Sequence, residues 1–166
     1  NMGNALMGKG MLDEAIDNYK EAIKINPKYA DAYNNMGNAF QVNGDLDKAI
    51  DNYKEAININ PNYAEAYNNL GSALRGKLEL NDSIDSFKQA IKLKPYYVDA
   101  YCNMGDALFV SGRYEEAIES CKQAIRIDPN YSEAYYNMGK ALMEKGDLVK
   151  SIESFNLALH HDPENL

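Results

Sequence analysis

Asparagine occupies one register of this chain without exception: Asn1, Asn35, Asn69, Asn103 and Asn137 stand 34 residues apart. A side-chain amide both donates and accepts, so it can pair with a peptide group whatever side chain that peptide carries. A column of such amides would hold an extended chain by its repeating backbone. The adjacent register varies (Asn34, Asn68, Cys102, Tyr136), so composition alone does not account for the fixed one. The competing explanation is a solvated helix face on which asparagine is simply the common residue.

Acids accompany the amides. Asp31, Glu65, Asp99 and Glu133 precede the fixed asparagine by four residues, while Asn38 and Asp106 follow it by three. Acids in a first helical turn are favoured by the helix dipole in any case. If they also face a ligand, that ligand is neutral or basic. Arg75 and Lys140 are the only basic residues of this set of positions.

Groups for covalent or metal chemistry are sparse. His160 and His161 are consecutive, so on a helix they point about 100° apart and form no ligand set. Cys102 and Cys121 have no metal-type spacing and are expected as reduced thiols. No glycine-rich phosphate loop occurs. The expectation is a chain that is not an enzyme and carries no cofactor or metal.

The net charge of -8 repels nucleic acid and anionic lipid alike. The longest apolar run, Ala107 to Val110, falls far short of the roughly 20 residues a membrane helix needs. No signal-type segment opens the chain. The compartment expected is cytoplasmic or otherwise intracellular.

The elements that must position the amides follow from the same interval. All five prolines (Pro27, Pro61, Pro95, Pro129, Pro163) keep it, as do Gly3, Gly37, Gly71, Gly105 and Gly139, and Ala22, Ala56, Ala90, Ala124 and Ala158. Self-similarity at this period means stacked units that bury their apolar faces on one another. With the glycine as position 8, a partial unit covers 1–29 and full units cover 30–63, 64–97, 98–131 and 132–165, read as a single array over 1–166.

Each unit carries two helical patterns. In the second, Ala32, Tyr33, Met36, Gly37, Ala39 and Phe40 share one arc, and Leu46, Ala49, Ile50, Tyr53, Ala56 and Ile57 share another. Asn43-Gly44-Asp45 reads as a stop followed by a start, and Pro61 ends the pair. Gly37 and Ala49 allow close helix approach. Tyr33, Tyr67, Tyr101 and Tyr135 are read as packing rather than ligand residues. Positions 2, 5, 6, 9, 12 and 13, which include the fixed asparagine, lie opposite the packing arc.

This pattern resembles the tetratricopeptide repeat: Tyr33-x-x-Met36-Gly37-x-x-Phe40, Ala49-x-x-x-Tyr53 and Pro61 match its signature. The resemblance implies an all-α fold, a right-handed α-solenoid of antiparallel helix pairs, in which the asparagine face lines a concave groove that binds protein. The column Asn35, Asn69, Asn103 and Asn137 further resembles that of the repeat region of O-linked N-acetylglucosamine transferases, which holds substrate polypeptides. No residues here match the transferase domain.

A second mode of the family grips acidic chaperone C-termini with basic residues. Asn4 and Asn35 fit its asparagines, but Glu65 and Asn69 stand where its cations belong, so that mode is rejected. The expected partner is a protein or extended peptide, neutral or basic, and not nucleic acid or membrane. Two alternatives stand beside it: a substrate-presenting arm of a larger enzyme, and a structural piece that associates end to end. The second rests on Ile152, Phe155 and Leu159, whose positions cover a following unit elsewhere in the array.

Further expectations can be checked. Leu78 replaces the turn glycine of the other units and predicts a differently shaped turn over Gly76 to Asn81. Ser83, Ser151 and Cys121 read as packing variants. Acid–lysine pairs such as Asp17–Lys20, Asp51–Lys54, Asp85–Lys88 and Glu119–Lys122 read as solvated surface. Changing Asn69 and Asn103 to Ala is expected to weaken partner binding with little effect on unfolding. Five amide contacts at roughly 0.5–1.5 kcal/mol each give only a few kcal/mol. Micromolar binding needs about 8 kcal/mol, so side-chain pockets must supply the remainder.

Overall fold

The computed structural model describes residues 11–163. Among the described residues the chain forms nine α-helices and no strand. They are α1 (Leu12–Ile25), α2 (Ala30–Val42), α3 (Leu46–Ile59), α4 (Ala64–Gly76), α5 (Leu80–Leu93), α6 (Val98–Val110), α7 (Tyr114–Ile127), α8 (Ser132–Glu144) and α9 (Leu148–His161). The chain divides at Glu79–Leu80 into two compact units.

Short-range chemistry sets the helix ends. After α3, the Asn60 side chain accepts from the Asn62 backbone N–H (3.1 Å), and Asn26 and Asp128 make the same turn before Lys28 and Asn130. Proline between these residues lacks the N–H needed to continue a helix. Between α2 and α3, Gly44 takes φ 81° and the Asp45 N–H closes on the Phe40 carbonyl (2.9 Å). Asp45 then caps α3 by accepting from the Lys48 N–H (3.3 Å), which satisfies one of the open donors at that helix start.

In the first unit α2 packs on α1, α3 and α4. Ile16 and Tyr19 of α1 meet Met36 and Ala39, and Ile50 and Tyr53 of α3 meet Leu70, Ala73 and Leu74 of α4. In the second unit Ile84, Phe87, Leu108, Ile118 and Leu142 form one core, and Cys102, Ala124 and Ala134 another. Each large side chain buried in this way is worth about 1.5–3 kcal/mol against leaving it exposed. Position 8 must be glycine because the second helix of the pair lies against it: a Cβ on Gly37 would stand 2.6 Å from Tyr53 Cε1, and one on Gly139 2.7 Å from Phe155 Cε1.

One expectation is corrected. Leu78 does not reshape its turn: it takes φ 61°, the left-handed conformation that glycine holds at 44, 112 and 146. Its hydrogen bonds repeat theirs, Leu78 N–H to the Arg75 carbonyl (2.9 Å) and Glu79 N–H to the Leu74 carbonyl (3.0 Å). Helix stops on both sides determine the turn, and leucine takes the strain with its side chain in solvent (71% exposed). The packing variants fit as expected: Ser151 bonds the Gly139 carbonyl (2.8 Å), and Cys121 is fully buried against Gly105. Of the surface pairs, Lys20–Asp17 and Lys88–Asp85 close at 3.0 and 3.4 Å, whereas Glu119 accepts from Gln123.

Candidate functional site

The first helices of successive repeats lie side by side within each unit, α2 with α4 and α6 with α8. The face that carries the fixed asparagine therefore exists once in each unit.

In the first unit Asn34 and Asn68 are buried, Asn35, Asn38 and Asn69 are half-buried, and Asp31 and Glu65 are exposed. The amides are not independent. Asn69 donates from Nδ2 to Asn34 Oδ1 (3.0 Å) and Asn38 Oδ1 (3.1 Å), tying α4 to α2. The Tyr53 hydroxyl reaches the same Asn38 oxygen (2.8 Å) and Gln41 Oε1 (2.9 Å), and shares one proton between them. Burial holds that phenol well above its ordinary titration range.

In the second unit Asn137 repeats the reach of Asn69: its Nδ2 meets Cys102 Sγ at 3.4 Å, where sulfur stands in for the Asn34 oxygen. Asn137 is 4% exposed, Asn103 and Asp106 are half-buried, and Asp99 and Glu133 are exposed. Lys140 reaches back from α8 to Asp106 (2.9 Å), with its Nζ 5.0 Å from the Phe109 ring centre and 5.2 Å from that of Tyr136. Asn1 lies outside the described residues.

These bonds correct the expectation that alanine at Asn69 leaves unfolding nearly unchanged. Its amide is a junction between repeats, and its removal would orphan a buried Asn34 oxygen, which costs about 1–3 kcal/mol. Asp31 and Asp99 also have structural partners. Tyr131 donates to Asp99 Oδ1 (2.8 Å) and Tyr63 bonds Asp31. In both tyrosines burial first, and the acid second, push the phenol up. The tyrosine register at 29, 63, 97 and 131 is as regular as the asparagine one and signals this pairing in the sequence. The Lys140 contacts had no such signal, because they occur at one junction.

Nucleophiles offer little. Burial pushes the Cys121 thiol up to about 12 and raises Cys102 as well, so neither is a thiolate near neutrality. His161 stacks on Tyr135 at 5.4 Å and His160 lies edge-on to it at 5.3 Å. No group of three or more His, Cys, Asp or Glu able to hold a metal occurs among the described residues. No described helix is long and apolar enough to cross a membrane. A cleft of about 230 Å³ over Ile84, Met104 and Leu108 is rimmed by Lys88, Arg113 and Glu116. Its charges are already paired, Arg113 with Glu116 and Lys88 with Asp85.

Helix pairs packed in chain order at a 34-residue interval define a repeat solenoid. The TPR repeat family matches residues 3–44, 42–77, 75–112 and 105–146, and the tetratricopeptide repeat family matches 132–165. The chain belongs to the tetratricopeptide-repeat family and is an all-α solenoid of antiparallel helix pairs. Its structure is similar to the crystal structure of MamA, with 30% identity and a TM-score of 0.87 over 99% of this chain and 96% of that one. PilF of Pseudomonas aeruginosa is similar at 20% identity and TM-score 0.89, over 99% and 75% of the two chains. YrrB, described as a TPR protein with an unusual peptide-binding site, is similar at 23% identity and TM-score 0.78, over 99% and 85%. No curated protein sequence matches the chain. The family makes the chain a protein-interaction module.

Proposed function

We propose that this module holds an extended polypeptide against the asparagine-bearing first-helix faces, by its backbone and with a preference for neutral or basic segments. The observation that carries this is the back-donation of Asn69 to Asn34 and Asn38. It fixes the amide's orientation before any ligand arrives, so less freedom is lost on binding. With Nδ2 engaged, Oδ1 is the atom offered to a peptide N–H. Asn35 and Asn103, half-buried at the same register, present their amides to the same chain, while Asn137, being buried, sets the register of its junction. Exposed Asp31, Glu65, Asp99 and Glu133 repel an acidic segment. The peptide-binding site described for YrrB, a protein of similar fold, supports this reading.

The test is fluorescence anisotropy with pools of labelled twelve-residue peptides that are neutral, lysine-bearing or acidic at the C-terminus. Neutral and lysine-bearing pools bind, and acidic ones bind least. Asn35→Ala weakens binding by roughly two- to tenfold, the value of one such hydrogen bond. A wild-type protein that binds no pool, or an Asn35→Ala variant that binds as wild type does, overturns the reading.

A further inference from the structure

We infer that Asp106, Phe109 and Tyr136 form an exchangeable cation site which Lys140 occupies from within the chain, and whose external ligand is the ammonium or guanidinium of a bound polypeptide.

The three groups surround one point. The Asp106 carboxylate lies 2.9 Å from the Lys140 nitrogen, and the two ring centres lie at 5.0 and 5.2 Å. Both distances are within the roughly 6 Å over which an aromatic face attracts a cation. A carboxylate with two rings is a complete receptor for an alkylammonium ion: the acid supplies charge and an acceptor, and the rings replace water on the remaining sides. The site is dry without being sealed. The side chains of Asp106 and Lys140 are 19% and 23% exposed, while Tyr136 is 38% exposed and forms an open wall.

Position in the repeat argues for a ligand role beyond a staple. Tyr136, Asp106 and Phe109 stand at positions 5, 9 and 12, on the asparagine-bearing face. In the first unit the equivalent places hold Asn68, Asn38 and Gln41, and the oxygens of Asn38 and Gln41 meet amide and phenol donors. The two units thus present different chemistry at equivalent places, an amide cluster in one and a cation cage in the other.

Exchange is feasible on charge grounds. The Asp106 carboxylate is largely withdrawn from water, and an ammonium beside it offsets part of the cost of that desolvation. If an incoming lysine replaces Lys140, one ammonium substitutes for another and Lys140 moves into water. The tether gives Lys140 an advantage equivalent to a local concentration on the order of millimolar. A free amine therefore competes poorly with it, whereas a lysine on a polypeptide held elsewhere on this face competes well. This deepens the polypeptide-binding reading, and its peptide arm rests on it.

Two measurements test the site. The first needs no peptide: n-butylammonium chloride is titrated into wild type, Lys140→Ala and Asp106→Asn/Lys140→Ala, with ring resonances followed by NMR and n-butanol and sodium chloride as controls. Lys140→Ala saturates at a concentration at least about tenfold lower than wild type, n-butanol has no effect, and the double variant loses the response. Lys140→Gln, which is uncharged but still a donor, replaces Lys140→Ala if the latter does not fold. A Lys140 variant that shows no saturation, or that responds equally to n-butanol, overturns the site.

The second compares peptide pools that differ only by lysine against norleucine. Removing Lys140 tightens binding of the lysine pool and leaves the norleucine pool unchanged. Equal affinity for both pools in the variant overturns the ligand role while the groove reading stands. Butylammonium binding with no peptide binding in any variant supports the cation site and overturns the groove reading.

Discussion

Leu78 and Gly44 hold the same turn position and the same left-handed backbone, with φ of 61° and 81°. Only glycine adopts this geometry without a Cβ clash, and a side chain there costs about 1–2 kcal/mol. Leu78 recovers little through packing, because most of its surface is in water. Leu78→Gly is therefore expected to stabilise the protein by about 1 kcal/mol, a rise of a few degrees in midpoint for a chain of this size. Chemical denaturation with matched slopes checks this, and a loss of stability would show that leucine contributes a contact worth more than its strain.

Gly37 faces Tyr53, and a methyl there would meet the ring at 2.6 Å. The ring is anchored by its hydroxyl to Asn38 and Gln41, so it cannot swing aside cheaply. Gly37→Ala should cost about 1–3 kcal/mol by overpacking. Thermal unfolding followed by helical circular dichroism is the measurement, and an unchanged midpoint would mean that α2 and α3 separate freely.

Asn69 and Asn34 should be energetically coupled. Asn69→Ala leaves the Asn34 oxygen without its donor, Asn34→Ala takes away one of the two acceptors of Asn69, and the double variant removes their shared bond only once. The double loss is then smaller than the sum, by about 0.5–1.5 kcal/mol. Additive losses in urea unfolding would show that the amides are solvated independently.

Cys102 and Cys121 are both fully buried, and burial raises both thiols. Neither should react with an aromatic disulfide reagent at pH 8 until the protein unfolds. The linkage sign follows from the raised values. The unfolded thiols ionise near 8.5 while Cys121 in the folded protein ionises only at about 12. Their contribution to stability is complete below about pH 8.5 and is lost as pH rises from there. A stability profile flat from pH 8 to 10 in the wild type, and identical in Cys102→Ala/Cys121→Ala, would contradict this.

The fold was legible because each of its causes is local or periodic. Gly37 against Tyr53, Pro61 after α3 and Gly44 before it all repeat at the same interval, so one unit explains the rest. The candidate site was legible only as a set of positions. Asn69 meets Asn34 across 35 residues, and Lys140 meets Asp106 across 34, through rotamers that no helical wheel specifies. The same register also takes different environments: Ile118 is 8% exposed and Ile152 is 61% exposed. Register names the residue type a position prefers, but its neighbours decide whether it is covered. Leu78 failed in the opposite sense, because the helices around it were strong enough to impose glycine's geometry on leucine.

The polar side-chain bonds between successive repeats within each unit share a direction. Asn69 gives to Asn34 and Asn38, Lys77 to Asp47, Asn137 to Cys102, Lys140 to Asp106 and Lys145 to Glu115. In every case the later repeat donates and the earlier one accepts. Each repeat thus has a giving edge and a receiving edge, as a tile cut with tab and slot. Tandem duplication of such a repeat always sets donor against acceptor, while a reversed unit would set donor against donor. The hydrogen-bond direction that fixes two asparagines in place is thereby a rule for how an array of this kind can lengthen without redesigning its joints.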